Sequence, residues 1–98
     1  MMSLKERFTL YEDAWKKFGA TAQMDMLIEE MAELTQAILK ARRNGMVFSY
    51  SILEEFADVQ ICMEQIGEQM NQLGSSQDIR SAKNKKLEYL KSLVYPDV

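Results

Sequence analysis

Apolar positions recur at helical spacing along almost the whole chain. Between Ser3 and Phe18, the residues Leu4, Phe8, Tyr11, Trp15 and Phe18 follow at intervals of four, three, four and three, which puts them on one face of a helix. Ser3 with Glu6 reads as a capping box at its start. Gly19 ends it, and Thr21 is the expected N-cap of the next helix. That second helix is predicted from about Ala22 to Arg43, with a core stripe of Met24, Leu27, Ile28, Met31, Leu34 or Thr35, and Ile38. Lys40, Arg42 and Arg43 suit the negative end of its dipole, and Asn44-Gly45 stops it. Met46 to Tyr50 reads as a short connection, too short and isolated for a stable sheet. Ser51 with Glu54 makes a second capping box, opening a third helix from about Ser51 to Leu73. Its expected core stripe is Ile52, Phe56, Val59, Met63, Ile66, Met70 and Leu73. After the loop Gly74-Ser75-Ser76, a fourth helix is predicted from about Gln77 to Val94, with Ile79, Leu87, Leu90, Leu93 and Val94 apolar. Short connections imply antiparallel neighbours, so the expected fold is an all-α, four-helix module in one domain, 1–98.

Composition narrows the chemistry. The 98 residues contain one Pro and four Gly, too few breakers to interrupt long helices. No apolar run approaches the ~20 residues of a membrane span, and no signal peptide is visible, so no membrane partner is expected. The lone Cys62 cannot form an internal disulfide and suits a reducing cytoplasm. A net charge of −3 offers no footprint for nucleic acid. Eight methionines read as flexible filler of a small core. The absence of histidine removes Ser-His and Cys-His catalysis and the usual zinc sites. Any metal must be held by oxygen, which selects Mg²⁺, Mn²⁺ or Ca²⁺.

Two acidic turns then stand out: Glu29-Glu30-Met31-Ala32-Glu33 and Glu54-Glu55-Phe56-Ala57-Asp58. At about 100° per residue, Glu30 falls about 90° to one side of the second helix's apolar stripe, and Glu33 about 60° further round. Met26 and Ala37 share that side, whereas Glu29, Asp25, Gln36 and Lys40 are expected on the other, in solvent. On the third helix Glu55 lies about 60° and Asp58 about 120° from the stripe, with Cys62 continuing the strip. The wheels therefore select Glu30, Glu33, Glu55 and Asp58 as the set that converges between antiparallel helices. Four carboxylates pressed together repel, and a divalent cation relieves that repulsion while leaving room for phosphate oxygens. Surface charge paired with nearby lysines is the plain alternative. Lys83 and Lys86 fall within the apolar stripe of the fourth helix, where snorkelling competes with phosphate contact. Arg42 and Arg43 could also touch phosphate, although pairing with the helix dipole explains them equally well.

Taken together, Trp15 and Gly19, Gln23, the run Leu27-Ile28-Glu29-Glu30-Met31-Ala32-Glu33-Leu34, the run Glu54-Glu55-Phe56-Ala57-Asp58-Val59, and lysines in a last helix resemble the MazG-like all-α nucleoside triphosphate pyrophosphohydrolases. The resemblance covers roughly Trp15 to Leu90. It implies Mg²⁺-dependent hydrolysis of a nucleoside triphosphate to the monophosphate and pyrophosphate, with Mn²⁺ able to replace Mg²⁺. It implies Glu30, Glu33, Glu55 and Asp58 as metal ligands and catalytic carboxylates, with Glu30 or Glu29 orienting the water. Gln23 would lie near the nucleotide, Lys83 and Lys86 on phosphate, and Asn84 at the sugar or base. Trp15 is left between stacking on a base and packing in the core. The chain looks like a minimal module that assembles into homodimers or homotetramers. Two other readings stay open: a non-catalytic helical module that binds nucleotide or protein, and a phosphoribosyl-ATP pyrophosphohydrolase, a branch that the residues around the acidic motifs resemble less.

Overall fold

A computed structural model describes residues 1–97, and every regular element in it is an α-helix: α1 (Leu4–Phe18), α2 (Ala20–Arg43), α3 (Tyr50–Gln72) and α4 (Ser76–Val94). The expected all-α, four-helix architecture is therefore observed. None of the helices is long and apolar enough to cross a membrane among the described residues. The chain divides into two compact units, Met1–Glu68 and a second that begins at Gln69, so the last turn of α3 belongs to the second.

The helix boundaries follow from local chemistry. Ser3 caps α1: its Oγ accepts from the Glu6 backbone N–H at 3.1 Å and donates to Glu6 Oε1 at 3.1 Å. The next boundary differs from expectation. Thr21 lies inside α2, and the cap is Gly19, which makes the entire turn by itself at φ 86, ψ 161. Its N–H donates to the Trp15 carbonyl (2.9 Å), and its carbonyl accepts from Gln23 N (3.1 Å), so one residue closes α1 and opens α2. Only glycine takes that torsion pair without steric cost, which is why no longer linker is needed. At the far end of α2, Met46 N–H donates to the Ala41 carbonyl (2.8 Å) and Gly45 N–H to the Arg42 carbonyl (3.0 Å), a Schellman closure with Gly45 at φ 70. The cap of α3 is Ser49, not Ser51: Ile52 N–H donates to Ser49 Oγ at 3.3 Å, and the helix is already under way at Tyr50. Ser76 likewise begins α4 and does not belong to the preceding loop.

Within the first unit α2 and α3 run antiparallel. Glu30 meets Asp58 and Glu55, while Gln23 and Met26, earlier on α2, share a cavity with Cys62 and Gln65, later on α3. Rising numbers on one helix face falling numbers on the other. α1 is fastened to α3 by a compact polar knot. Tyr11, only 3% exposed, donates its hydroxyl to Glu64 Oε2 at 2.5 Å. Arg7 Nη2 donates to Glu64 Oε1 at 2.9 Å and Oε2 at 2.6 Å, and Arg7 Nε donates to the Tyr11 oxygen at 3.2 Å. Phe8 meets the Tyr11 ring edge-on, with centroids 6.1 Å apart.

The face that α2 turns inward is not the expected one. The inner line runs through Gln23, Leu27, Glu30, Leu34, Ala37 and Ala41, all buried or half-buried. Met24, Ile28, Met31 and Ile38 are exposed, Ile28 by 60%. The inner line of α3 is Ile52, Glu55, Val59, Cys62 and Ile66, while Phe56 and Met63 are exposed. Polar residues occupy the inner lines because the two helices close around a polar site. The more apolar stripes lie on the flank away from the carboxylates, about 100° round. The methionines are therefore not core filler as expected: Met24, Met26, Met31, Met63 and Met70 all reach the surface. In the second unit, α4 carries no buried residue.

Candidate functional site

One turn of α2 and one of α3 build an acidic cluster. A carboxylate oxygen from each of Glu30, Glu55 and Asp58 lies within 4.8 Å of the other two. Glu33 lies outside this close trio but beside it, near enough for its charge to act on both Glu30 and Glu55. The helical wheel explains the convergence: Glu30 and Glu33, like Glu55 and Asp58, are three residues apart and so stand one above the other. Antiparallel packing then brings the two pairs face to face.

The cluster is electrostatically strained. Removal from water pushes the Glu30 carboxyl above the ordinary carboxylate range, and the negative charges of Glu33, Asp58 and Glu55 push it further. Glu55 is raised for the same leading reason, then by the neighbouring Glu33 carboxyl and the charges of Asp58 and Glu54. The buried Cys62 thiol is raised by burial and by Glu30 and Asp58, which keeps it protonated and a poor nucleophile. Glu30 Oε2 and Glu55 Oε2 are buried without a hydrogen-bond partner. An orphaned buried carboxylate oxygen is costly. Two of them beside two further carboxylates form an all-oxygen donor set that fits a hard divalent cation.

Two cavities flank the cluster. The first, about 320 Å³, lies among α1, α2 and α3 and is lined by Phe18, Gln23, Met26, Ile61, Cys62 and Gln65, with Glu30 and Asp58 in its wall. Gln23 is only 6% exposed, yet its side-chain amide takes no partner among the hydrogen bonds of the described residues. The cavity thus combines apolar walls with free amides, beside carboxylates. The second cavity, about 340 Å³, adjoins the other end of the cluster. Its lining is Glu33, Gln36, Ala37, Lys40, Arg43 and Glu55, with Leu39 at its edge. Gln36 and Lys40 therefore stand on the side of Glu33 and not on the opposite, solvated side expected from the sequence. The wheel carries the reason: positions 33, 36, 37 and 40 cover one face of α2 within about 100°.

The other expected site residues are distributed as follows. Trp15 is half-buried and does not line the first cavity, whose α1 wall is made by Ala14 and Phe18. Lys83, Asn84 and Lys86 are exposed on α4 in the second unit, where Lys83 and Asn84 line a shallow cavity with Arg80, Ile79 and Leu87. Nothing in the sequence pattern marks Gln65, Ile61 or Lys40 as a site residue, whereas Arg43 is one of the two arginines read as able to touch phosphate. Gln65 lies seven residues after Asp58, and Lys40 seven after Glu33, a two-turn spacing that returns each to the face of its carboxylate. Compared with protein-family models, with curated proteins and with solved structures, the chain has no match.

Proposed function

We propose that the chain is a Mg²⁺-dependent nucleoside triphosphate pyrophosphohydrolase, releasing a nucleoside monophosphate and pyrophosphate. The observation that carries this reading is the pair of buried, unpartnered oxygens, Glu30 Oε2 and Glu55 Oε2, in a cluster with Asp58 beside an apolar, amide-bearing cavity, with Glu33 adjoining. Glu30, Glu33, Glu55 and Asp58 would hold the cation. Mg²⁺, or Mn²⁺ in its place, supplies charge neutralisation and Lewis acidity toward the phosphoanhydride. The first cavity, at about 320 Å³, is at the lower end of the range for small-molecule pockets and admits a nucleobase. There the amides of Gln23 and Gln65 offer donors and acceptors to a base edge, while Phe18, Met26 and Ile61 give it apolar walls. A water attacks the α-phosphorus, the bond to the bridging oxygen of the β-phosphate breaks, and a carboxylate takes the water's proton; Glu30 and Glu29 are the candidates.

The same reading includes assembly into homodimers or homotetramers. The flank of α2 and α3 away from the carboxylates exposes Met24, Ile28, Met31, Phe56 and Met63. Contiguous apolar surface of that kind marks an interaction face. No side chain among the described residues is fully buried, so a second copy would supply core that one chain lacks. Incubation with a panel of nucleoside triphosphates and Mg²⁺ tests the activity. Release of pyrophosphate from at least one of them is expected, and release from none, with helicity intact, refutes the proposal.

A further inference from the structure

The two cavities differ in chemistry, and the difference has a direction. The cavity toward the start of α2 is walled by apolar side chains and two amides; the one toward its end holds Lys40 and Arg43. Neither cation makes an ion pair among the described residues. Helical side chains lean toward the N-terminus of their helix, so both stems incline back toward Gln36 and Glu33. Dipole pairing alone would explain cations at a helix C-terminus, but it does not require them to share a cavity with Glu33 and Glu55.

From this we infer that Lys40 and Arg43 form the anion subsite that takes the terminal phosphates of the substrate and then the pyrophosphate product. The inference rests on the nucleotide reading of the carboxylate cluster and adds a polarity to it. The base lies by Gln23 and Gln65, the scissile anhydride by Glu30, Glu33, Glu55 and Asp58, and the polyphosphate tail extends toward the C-terminal end of α2. Arg43 suits this task because its planar fork matches two phosphate oxygens at once, whereas Lys40 contributes a mobile point charge. The nearby carboxylates discriminate against a tail arriving without its cation, since bare phosphate would meet Glu33 and Glu55 across the same cavity.

Binding of the two product halves, measured separately by calorimetry in Mg²⁺, tests the assignment. The probes are inorganic pyrophosphate and a nucleoside monophosphate. The proteins are the wild type, the double variant Lys40→Gln/Arg43→Gln, the variant Gln23→Ala and the double variant Lys83→Ala/Lys86→Ala, each checked for helicity. Lys40→Gln/Arg43→Gln should weaken pyrophosphate about tenfold or more and leave the monophosphate within about twofold. Gln23→Ala should do the reverse. Unchanged pyrophosphate affinity in Lys40→Gln/Arg43→Gln overturns the subsite, as does a loss that follows Lys83 and Lys86 instead. Failure of the nucleotide reading looks different: the wild type hydrolyses no nucleoside triphosphate, while pyrophosphate still binds through Lys40 and Arg43.

Discussion

Replacing Tyr11 by Phe removes one oxygen from the junction of α1 and α3 and keeps the ring. The lost bond is the 2.5 Å donation from the hydroxyl to Glu64 Oε2. Hydrogen bonds to charged groups contribute about 1.5–3 kcal/mol when sheltered. Glu64 and Arg7 have side chains 40% and 43% exposed, so solvent screening brings the expected loss to about 1–2 kcal/mol. For a chain of this size that is a drop of roughly 4–16 °C in Tm. The pH dependence follows from Glu64, whose carboxyl is held below its ordinary range chiefly by the Tyr11 hydroxyl, and then by Arg7. A carboxyl with a lowered folded pKa contributes stability that is present above the unfolded value of about 4.3 and is lost as pH falls through the folded value. The difference between Tyr11→Phe and wild type should thus be full at neutral pH and shrink in acid below about pH 4.3. Urea denaturation at matched protein concentration, from neutral to acid pH, measures it. A variant as stable as wild type at neutral pH, or a gap that stays constant into acid, refutes the reasoning.

Other expectations concern the site and the exposed flank. Glu33→Gln and Asp58→Asn should each lower turnover by more than the roughly 100-fold that loss of a supporting partner costs a metal site, with circular dichroism unchanged; full activity in either removes that residue from the cluster's role. Mg²⁺ or Mn²⁺ with nucleotide at about 100 times the dissociation constant should stabilise the wild type by ~2.7 kcal/mol, read as a rise in Tm, and no rise counts against a cation site. Glu30→Gln should make the metal-free protein more stable at neutral pH, because it removes one charge from a crowded and desolvated group; equal or lower stability would show that the crowding is relieved some other way. Ile28→Asp with Phe56→Asp should convert an assembled species to monomers in size-exclusion chromatography with light scattering. A wild type that is already monomeric ends the assembly proposal.

The carboxylates could be read from the sequence because their spacing is local. Glu30 and Glu33, and Glu55 and Asp58, occupy fixed positions on helical wheels, and antiparallel order follows from short connections. The inner line was harder to read. Met24, Ile28, Met31 and Ile38 form the most hydrophobic stripe of α2, and hydrophobicity alone puts such a stripe inside. The structure turns Gln23, Glu30 and Ala41 inward instead, because the line that closes on α3 is set by tertiary packing, and a surface stripe has the same period as a core one. Gly19 ends α1 as expected, but its second role in opening α2, like the cap at Ser49, is hidden for a related reason. Thr21 and Ser51 are good caps by residue type, but backbone torsion decides, and nothing in residue type shows that a single glycine makes the whole turn. The Arg7–Tyr11–Glu64 knot joins residues 53 and 57 positions apart, beyond any periodic pattern.

The joint at Gly19 also bears on how the first cavity can change. Phe18 ends one wall and Ala20 begins the next, with a single pair of torsions between them. The knot at Glu64 ties α1 down a second time. A residue inserted at the joint would turn the presented face of α1 by about 100° and carry Phe18 out of the cavity. The width of this cavity is therefore not adjustable by linker length. A chain built this way reshapes the cavity by exchanging side chains, chiefly at positions 18, 26, 61 and 65, so the cavity should vary by substitution and hardly at all by insertion.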